Sequence, residues 1–95
     1  MKVIELAQFK LRADVTEAQF RMAFDDSNRW LSSQPGFIQR RHGVDDDGRI
    51  DVIEWESMAA AKAAAQQFME APETRAFMGT IDPETVIMRH FELMS

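Results

Sequence analysis

The side chains of this sequence best placed to do chemistry are Arg40, Asp51, Glu54, Trp55, Met88 and His90. An indole such as Trp55 near the end of a strand can wall a cavity, stack on a planar ligand and donate from its ring nitrogen. It can equally be an aromatic anchor between a sheet and the following helix. His90 shares its side of the last predicted strand with Met88. Facing a cavity it would shuttle a proton or orient a ligand, and the alternative is a hydrogen-bonded structural histidine. Arg40 and Asp51 fall on neighbouring predicted strands, where facing side chains come within about 5 Å, so the two can form an ion pair. An Arg40 left unpaired in a cavity would instead hold a carboxylate or enolate oxygen, a task its planar fork suits. Glu54 is placed to reach the same cavity or a dimer seam. His42, beside a predicted hairpin, is expected to be exposed.

Other chemistries are disfavoured. The chain has no Cys, so it forms no disulfide, thiolate metal site or thiol nucleophile. Its two His residues lack a His-x-x-x-His spacing, and no metal or other cofactor is expected. Asp45, Asp47 and Glu56 fall at calcium-loop spacing, but Arg49 and Ile50 stand where that loop needs an oxygen ligand and a glycine. No glycine-rich phosphate cradle or Gly-x-Ser-x-Gly elbow occurs. The net charge is −5 and the cations form no cluster beyond Arg40-Arg41, so neither nucleic acid nor an anionic membrane surface is an expected partner. The first residues carry an early acid and no apolar run, and no stretch approaches transmembrane length. A cytoplasmic location is the expectation.

Ninety-five residues with 45% hydrophobic content suit one domain over 1–95. Val3, Ile4, Leu6, Phe9 and Leu11 mark a first strand within 2–11. Asp14, three residues before Glu17, resembles a capping pair that opens a first helix, in which Phe20, Phe24, Ser27 and Leu31 recur at helical spacing up to about Ser33. Pro35-Gly36 ends it. Phe37–Val44 and Arg49–Glu56 read as strands joined by a hairpin at Asp45-Asp46-Asp47-Gly48. Ser57 is the expected cap of a second helix with Ala61, Ala64, Ala65 and Phe68 on one stripe. A short helix follows from Pro72 to near Gly79, then a turn at Asp82-Pro83 and a last strand from Glu84 to Met94.

The order β-α-β-β-α-β predicts an α+β fold of ferredoxin-like topology, a four-stranded antiparallel sheet with its helices on one face. Apolar residues occupy both parities of the third and fourth strands, where a sheet wetted on one side would alternate. The helix-free face therefore needs a cover. In so short a chain a second copy related by a two-fold axis is the expected one, giving a dimeric α+β barrel with a partly polar space between the sheets.

Gln34-Pro35-Gly36-Phe37, the acidic hairpin, Asp51-Val52-Ile53-Glu54-Trp55-Glu56-Ser57 before an Ala-rich helix, and Met88-Arg89-His90-Phe91-Glu92 resemble the antibiotic-biosynthesis-monooxygenase-like superfamily of dimeric α+β barrels. The resemblance spans nearly the whole chain as an order of elements, and its sharpest part is Trp-Glu-Ser with its flanking strand and helix. It is nearest to small bacterial members of unknown function. The quinone-forming branch would imply an Asn, a Trp and a Tyr around a flat substrate without metal or flavin. Trp55 matches the Trp, but the chain has no Tyr and its one Asn, Asn28, falls on the first helix. The haem-degrading branch would imply a strand-one Asn and a His about ten residues after the Trp. Both are missing.

Two readings of function follow. In the first, a homodimer takes a small apolar or aromatic molecule in a pocket beside the sheet, between the two sheets, lined by Trp55 and Met88 with His90. In the second, a cofactor-independent monooxygenase acts on a phenolic or quinol-type substrate that His90 deprotonates or Arg40 holds as an anion.

Overall fold

A computed structural model of the chain describes residues 1–94. The elements are β1 (Val3–Phe9), α1 (Glu17–Ser32), β2 (Phe37–Asp45), β3 (Gly48–Trp55), α2 (Met58–Phe68), α3 (Pro72–Gly79), a 3-10 turn at Pro83–Thr85 and β4 (Ile87–Glu92). The strands form one antiparallel sheet in the order β2-β3-β1-β4. This is the expected α+β ferredoxin-like fold.

Two element starts differ in their chemistry from the sequence reading, while the other ends shift by one or two residues. The cap of α1 is Thr16, not Asp14: the Thr16 hydroxyl accepts from Gln19 N at 3.1 Å and the Gln19 side chain accepts from Thr16 N at 2.9 Å. That reciprocal pair satisfies two free amides at once, and Asp14 is left in the preceding turn. The last strand begins at Ile87 rather than Glu84, because Pro83 has no amide to give a ladder and the Asp82 carboxylate accepts from Glu84 N at 3.1 Å, folding these residues into a turn. Ser57 caps α2 as expected, accepting from Ala60 N at 3.1 Å. Between α1 and β2 the chain reverses at Gly36, whose φ is 83° and where a Cβ would sit 2.6 Å from that of Ala60. Only glycine both turns there and lets α2 come so close.

Strand register assigns each side chain to a face. Val3, Glu5, Ala7 and Phe9 of β1 share the helix side with Arg49, Asp51, Ile53 and Trp55 of β3, Arg40 and His42 of β2, and Met88 and His90 of β4. Two buried apolar groups lie between this side and the helices. One joins Val3, Leu31, Ile53, Trp55, Ala61 and Ala64; the other joins Phe9, Phe20, Ala23 and Phe77. The small side chains of Ala61 and Ala64 let α2 rest directly on the sheet. The opposite side presents Ile4, Leu6, Ile50, Val52, Ile87 and Phe91 among Gln8, Gln39, Arg41, Glu54 and Arg89. No helix covers it. Ile87 is 57% and Phe91 36% exposed.

Candidate functional site

The chemistry-bearing residues gather on the helix side, not on the open face. This corrects the expected position of the pocket: Trp55, Arg40, Asp51, Met88 and His90 cannot line a space between two sheets, since their register points them toward the helices. Of the residues singled out, only Glu54 lies on the open face, beside Gln39 on β2. It takes no part in the cluster.

A row of facing positions crosses the sheet from Arg40 through Ile53 and Glu5 to His90. Glu5 on the central strand β1 is 6% exposed, and its Oε1 accepts from the Trp55 ring nitrogen at 3.1 Å. His90 Nε2 lies 3.5 Å from the same oxygen, within ion-pair range, yet it is buried and among the described residues makes no hydrogen bond. Burial pushes the Glu5 carboxyl above its ordinary range. The His90 charge and the Trp55 hydrogen bond pull the other way, and the nearby Asp51 carboxylate adds to the rise. Trp55 itself is fully buried, edge-on to Phe37 with ring centres 5.8 Å apart. Met88 is half exposed on the edge strand.

At the other end of the row Arg40 and Asp51 form the expected pair. Arg40 Nη2 donates to Asp51 Oδ2 at 2.7 Å and Nη1 donates to the Ser27 hydroxyl at 2.9 Å, with the side chains of Arg40 and Asp51 2% and 5% exposed. The guanidinium carbon stands 4.0 Å from the centre of the Phe24 ring and 5.0 Å from that of Phe77. Among the described residues its Nε has no partner. Arg40 is therefore not the free cation that would hold an anionic ligand.

His42 corrects another expectation. It lies opposite Asp51 with its side chain only 14% exposed, and its Nδ1 is 2.5 Å from Asp51 Oδ1. Arg49 Nη1 is 3.2 Å from the other ring nitrogen. An arginine can only donate, so Nε2 accepts and the ring proton sits on Nδ1, toward the carboxylate. Arg49 then reaches Glu17 at the start of α1, whose carboxyl it holds below the usual range. The result is a polar belt in two parts: His90, Glu5 and Trp55 on one side of Ile53, and on the other a connected run from Ser27 and Arg40 through Asp51, His42 and Arg49 to Glu17, walled by Phe9, Phe20, Phe24 and Phe77.

The sequence reading missed Glu5, Ser27, Arg49 and Glu17 as members of this belt. Glu5 left one signal, an acid two positions from Val3 and four before Phe9 on the parity those residues bury. An open groove of about 560 Å3 lies elsewhere, at the hairpin end beside Phe9, Lys10, Val44, Asp47 and Thr85, and includes neither Trp55 nor His90.

Neither a family profile nor a curated protein matches the sequence. Solved structures do. SnoaB from Streptomyces nogalater, a cofactor-independent oxygenase, superposes with a TM-score of 0.80 at 18% identity, covering 99% of this chain and 94% of its own. A Bordetella bronchiseptica protein provisionally named an antibiotic biosynthesis monooxygenase gives 0.77 at 13%, covering 99% and 98%. A dimeric ferredoxin-like protein of unknown function from Jannaschia sp. CCS1 gives 0.74 at 12%, covering 98% and 100%. At these identities the likeness is one of fold, and the chain shares the ferredoxin-like fold of these structures.

Proposed function

We propose that this protein binds a small planar aromatic molecule on the helix side of its sheet and ionises it with Glu5 and His90, as a cofactor-independent monooxygenase of phenolic or quinol-type substrates. One observation carries the reading: Glu5 is a buried carboxylate held by an indole N–H beside an imidazole with a free nitrogen. Packing does not call for it. A buried carboxylate costs several kcal/mol unless it is paired and hydrogen-bonded, and a carboxyl whose pKa burial raises is a stronger base than an ordinary one.

The chemistry would be brief. Glu5, with His90 beside it, accepts the acidic proton of the substrate, and the resulting anion gives an electron to dioxygen. For an anthrone-type ring, recombination at the reacting carbon forms a C–O bond, and loss of water leaves a carbonyl. One dioxygen is consumed, one of its atoms enters the product and the other leaves as water. The surrounding phenylalanines exclude solvent from the anion.

The second reading is binding without chemistry, in which the Trp55 N–H only holds the Glu5 carboxyl in place and no proton leaves the ligand. Both readings include a homodimer formed through the open face, where six apolar side chains lie uncovered by any helix.

Oxygen uptake on a panel of hydroquinones and anthrones is the test. The wild type should consume oxygen, and Glu5→Gln should lower the rate by about 100-fold or more, the usual scale of general-base catalysis. Saturable quenching of tryptophan fluorescence without uptake would leave binding alone. Neither uptake nor quenching would end both readings.

A further inference from the structure

One connected run of side chains ties the hairpin end of the sheet to the start of α1. His42 Nδ1 stands 2.5 Å from Asp51 Oδ1, Arg49 Nη1 lies 3.2 Å from His42 Nε2, and Arg49 Nη2 donates to the Glu17 carboxylate in the first turn of α1. The guanidinium carbon lies over the Phe20 ring, 4.4 Å from its centre. Although Arg49 reaches a half-exposed carboxylate, its own side chain is only 8% exposed. Glu17 holds one of its terminal nitrogens and the lone pair of His42 holds the other.

Arg49 stays charged at every working pH. It holds the Glu17 carboxyl below the usual range, so Glu17 stays ionised into stronger acid than an ordinary glutamate. The His42 lone pair is the link that mild acid removes, because imidazole is the side chain that changes charge between about pH 5 and 8. With a second proton the ring is a donor at both nitrogens. Its Nε2–H would then face Arg49 Nη1, a donor against a donor and a cation against a cation.

Few other charges surround the ring. Asp51 faces it from β3 and also accepts from Arg40 on the strand of His42 itself. From α1 come Glu17, through Arg49, and Arg21, 3.8 Å from Glu17. The rest of the wall is the rings of Phe9, Phe20 and Phe24. Asp51 accepts from Nδ1–H in both charge states, so the repulsion is relieved at Arg49, which still has Glu17 as an acceptor.

We infer that His42 is an acid-sensitive latch: its neutral ring clasps Arg49 against Glu17 and Phe20, and its protonated ring lets Arg49 move off Phe20 toward solvent, loosening the join between the sheet and the first turn of α1. The latch lies on the other side of Ile53 from Glu5 and His90, goes beyond the proposed chemistry and stands or falls without it.

NMR of the full chain across about pH 8 to 5, the range in which imidazole titrates, is the test. At the alkaline end the His42 ring should carry its proton on Nδ1, and the two Arg49 Nη groups, each held by its own acceptor, should give separate signals. As the ring takes its second proton those signals should merge through free rotation, and the Phe20 ring signals should shift with the same midpoint. His42→Gln keeps an acceptor for Arg49 and a donor for Asp51 but does not titrate. In it Arg49 and Phe20 should hold still over this range and change only in the stronger acid that protonates Glu17. A His42 proton on Nε2 at the alkaline end, a ring that stays neutral throughout, or a ring that titrates while Arg49 and Phe20 stay unmoved would overturn the latch. Release of Arg49 at the same pH in His42→Gln would do so too. The wild-type signals decide the matter even if the variant fails to fold.

Discussion

Asp51→Ala tests whether the polar belt is a desolvated unit. Asp51 is the one carboxylate bonded to both Arg40 and His42, and the Arg40 side chain is 2% exposed. Without Asp51 the guanidinium keeps only the Ser27 hydroxyl as an acceptor. Removing one partner of a buried pair costs about 3–5 kcal/mol, because the other charge is left without compensation. With a denaturant slope of about 1–3 kcal/mol per molar urea for a small domain, the unfolding midpoint should fall by roughly 1–5 M, about 2 M at the middle of both ranges. Urea curves at one fixed chain concentration measure it, since self-association shifts apparent stability by mass action. The double variant Arg40→Met with Asp51→Leu should recover much of the loss, as apolar replacement of a whole buried pair is often neutral or better. A loss below about 1 kcal/mol in Asp51→Ala, or a double variant as unstable as the sum of its singles, would refute the reasoning.

Glu5 makes a pH-dependent prediction. Its folded-state pKa is raised above the ordinary 4.5, so the folded chain holds a proton that the unfolded chain releases. Stability tied to this group is full below that ordinary value and is lost as pH rises through the folded one. Glu5→Gln should abolish the loss, so urea midpoints of variant and wild type should diverge as pH rises and the variant should be the more stable near neutrality. Identical pH profiles would contradict the burial of a titrating Glu5. Trp55→Phe removes the indole donor that lowers the Glu5 pKa, so carboxyl-carbon NMR should find Glu5 titrating higher still. Losing a hydrogen bond to a charged group should also cost about 1.5–3 kcal/mol in the same urea assay.

Local signals in the sequence carried the fold a long way. The Phe20, Ser27, Leu31 stripe, the Pro35-Gly36 break, the Ser57 cap and the acidic hairpin each report a short-range preference, and all recur in the structure. Where two caps competed within three residues, the reciprocal bonds of Thr16 and Gln19 won over Asp14, a contest that depends on side-chain geometry rather than residue type. The face of each strand residue was harder to read. In β1, Val3 and Ile4 are both apolar, as are Ile53 and Val52 in β3, so neither parity declares itself the core. Register decides it, and a slip of one residue would move every side chain across the sheet. Pairing Val3 with Trp55 and Ala7 with Asp51 is what sends the candidate residues toward the helices and turns Glu5 into a buried acid. His42 was read from its closeness to the hairpin, yet its position opposite Asp51 leaves its side chain only 14% exposed.

The Trp55 indole N–H resonance, followed by NMR as a hydroquinone or anthrone is titrated in, tests the central claim most directly, with the Trp30 indole as internal reference. The account predicts that the Trp55 signal moves saturably, together with side-chain signals of Glu5 and His90, while Ile4, Val52 and Phe91 on the open face stay still. Shifts confined to those open-face residues, with Trp55 and Glu5 unmoved, would contradict it.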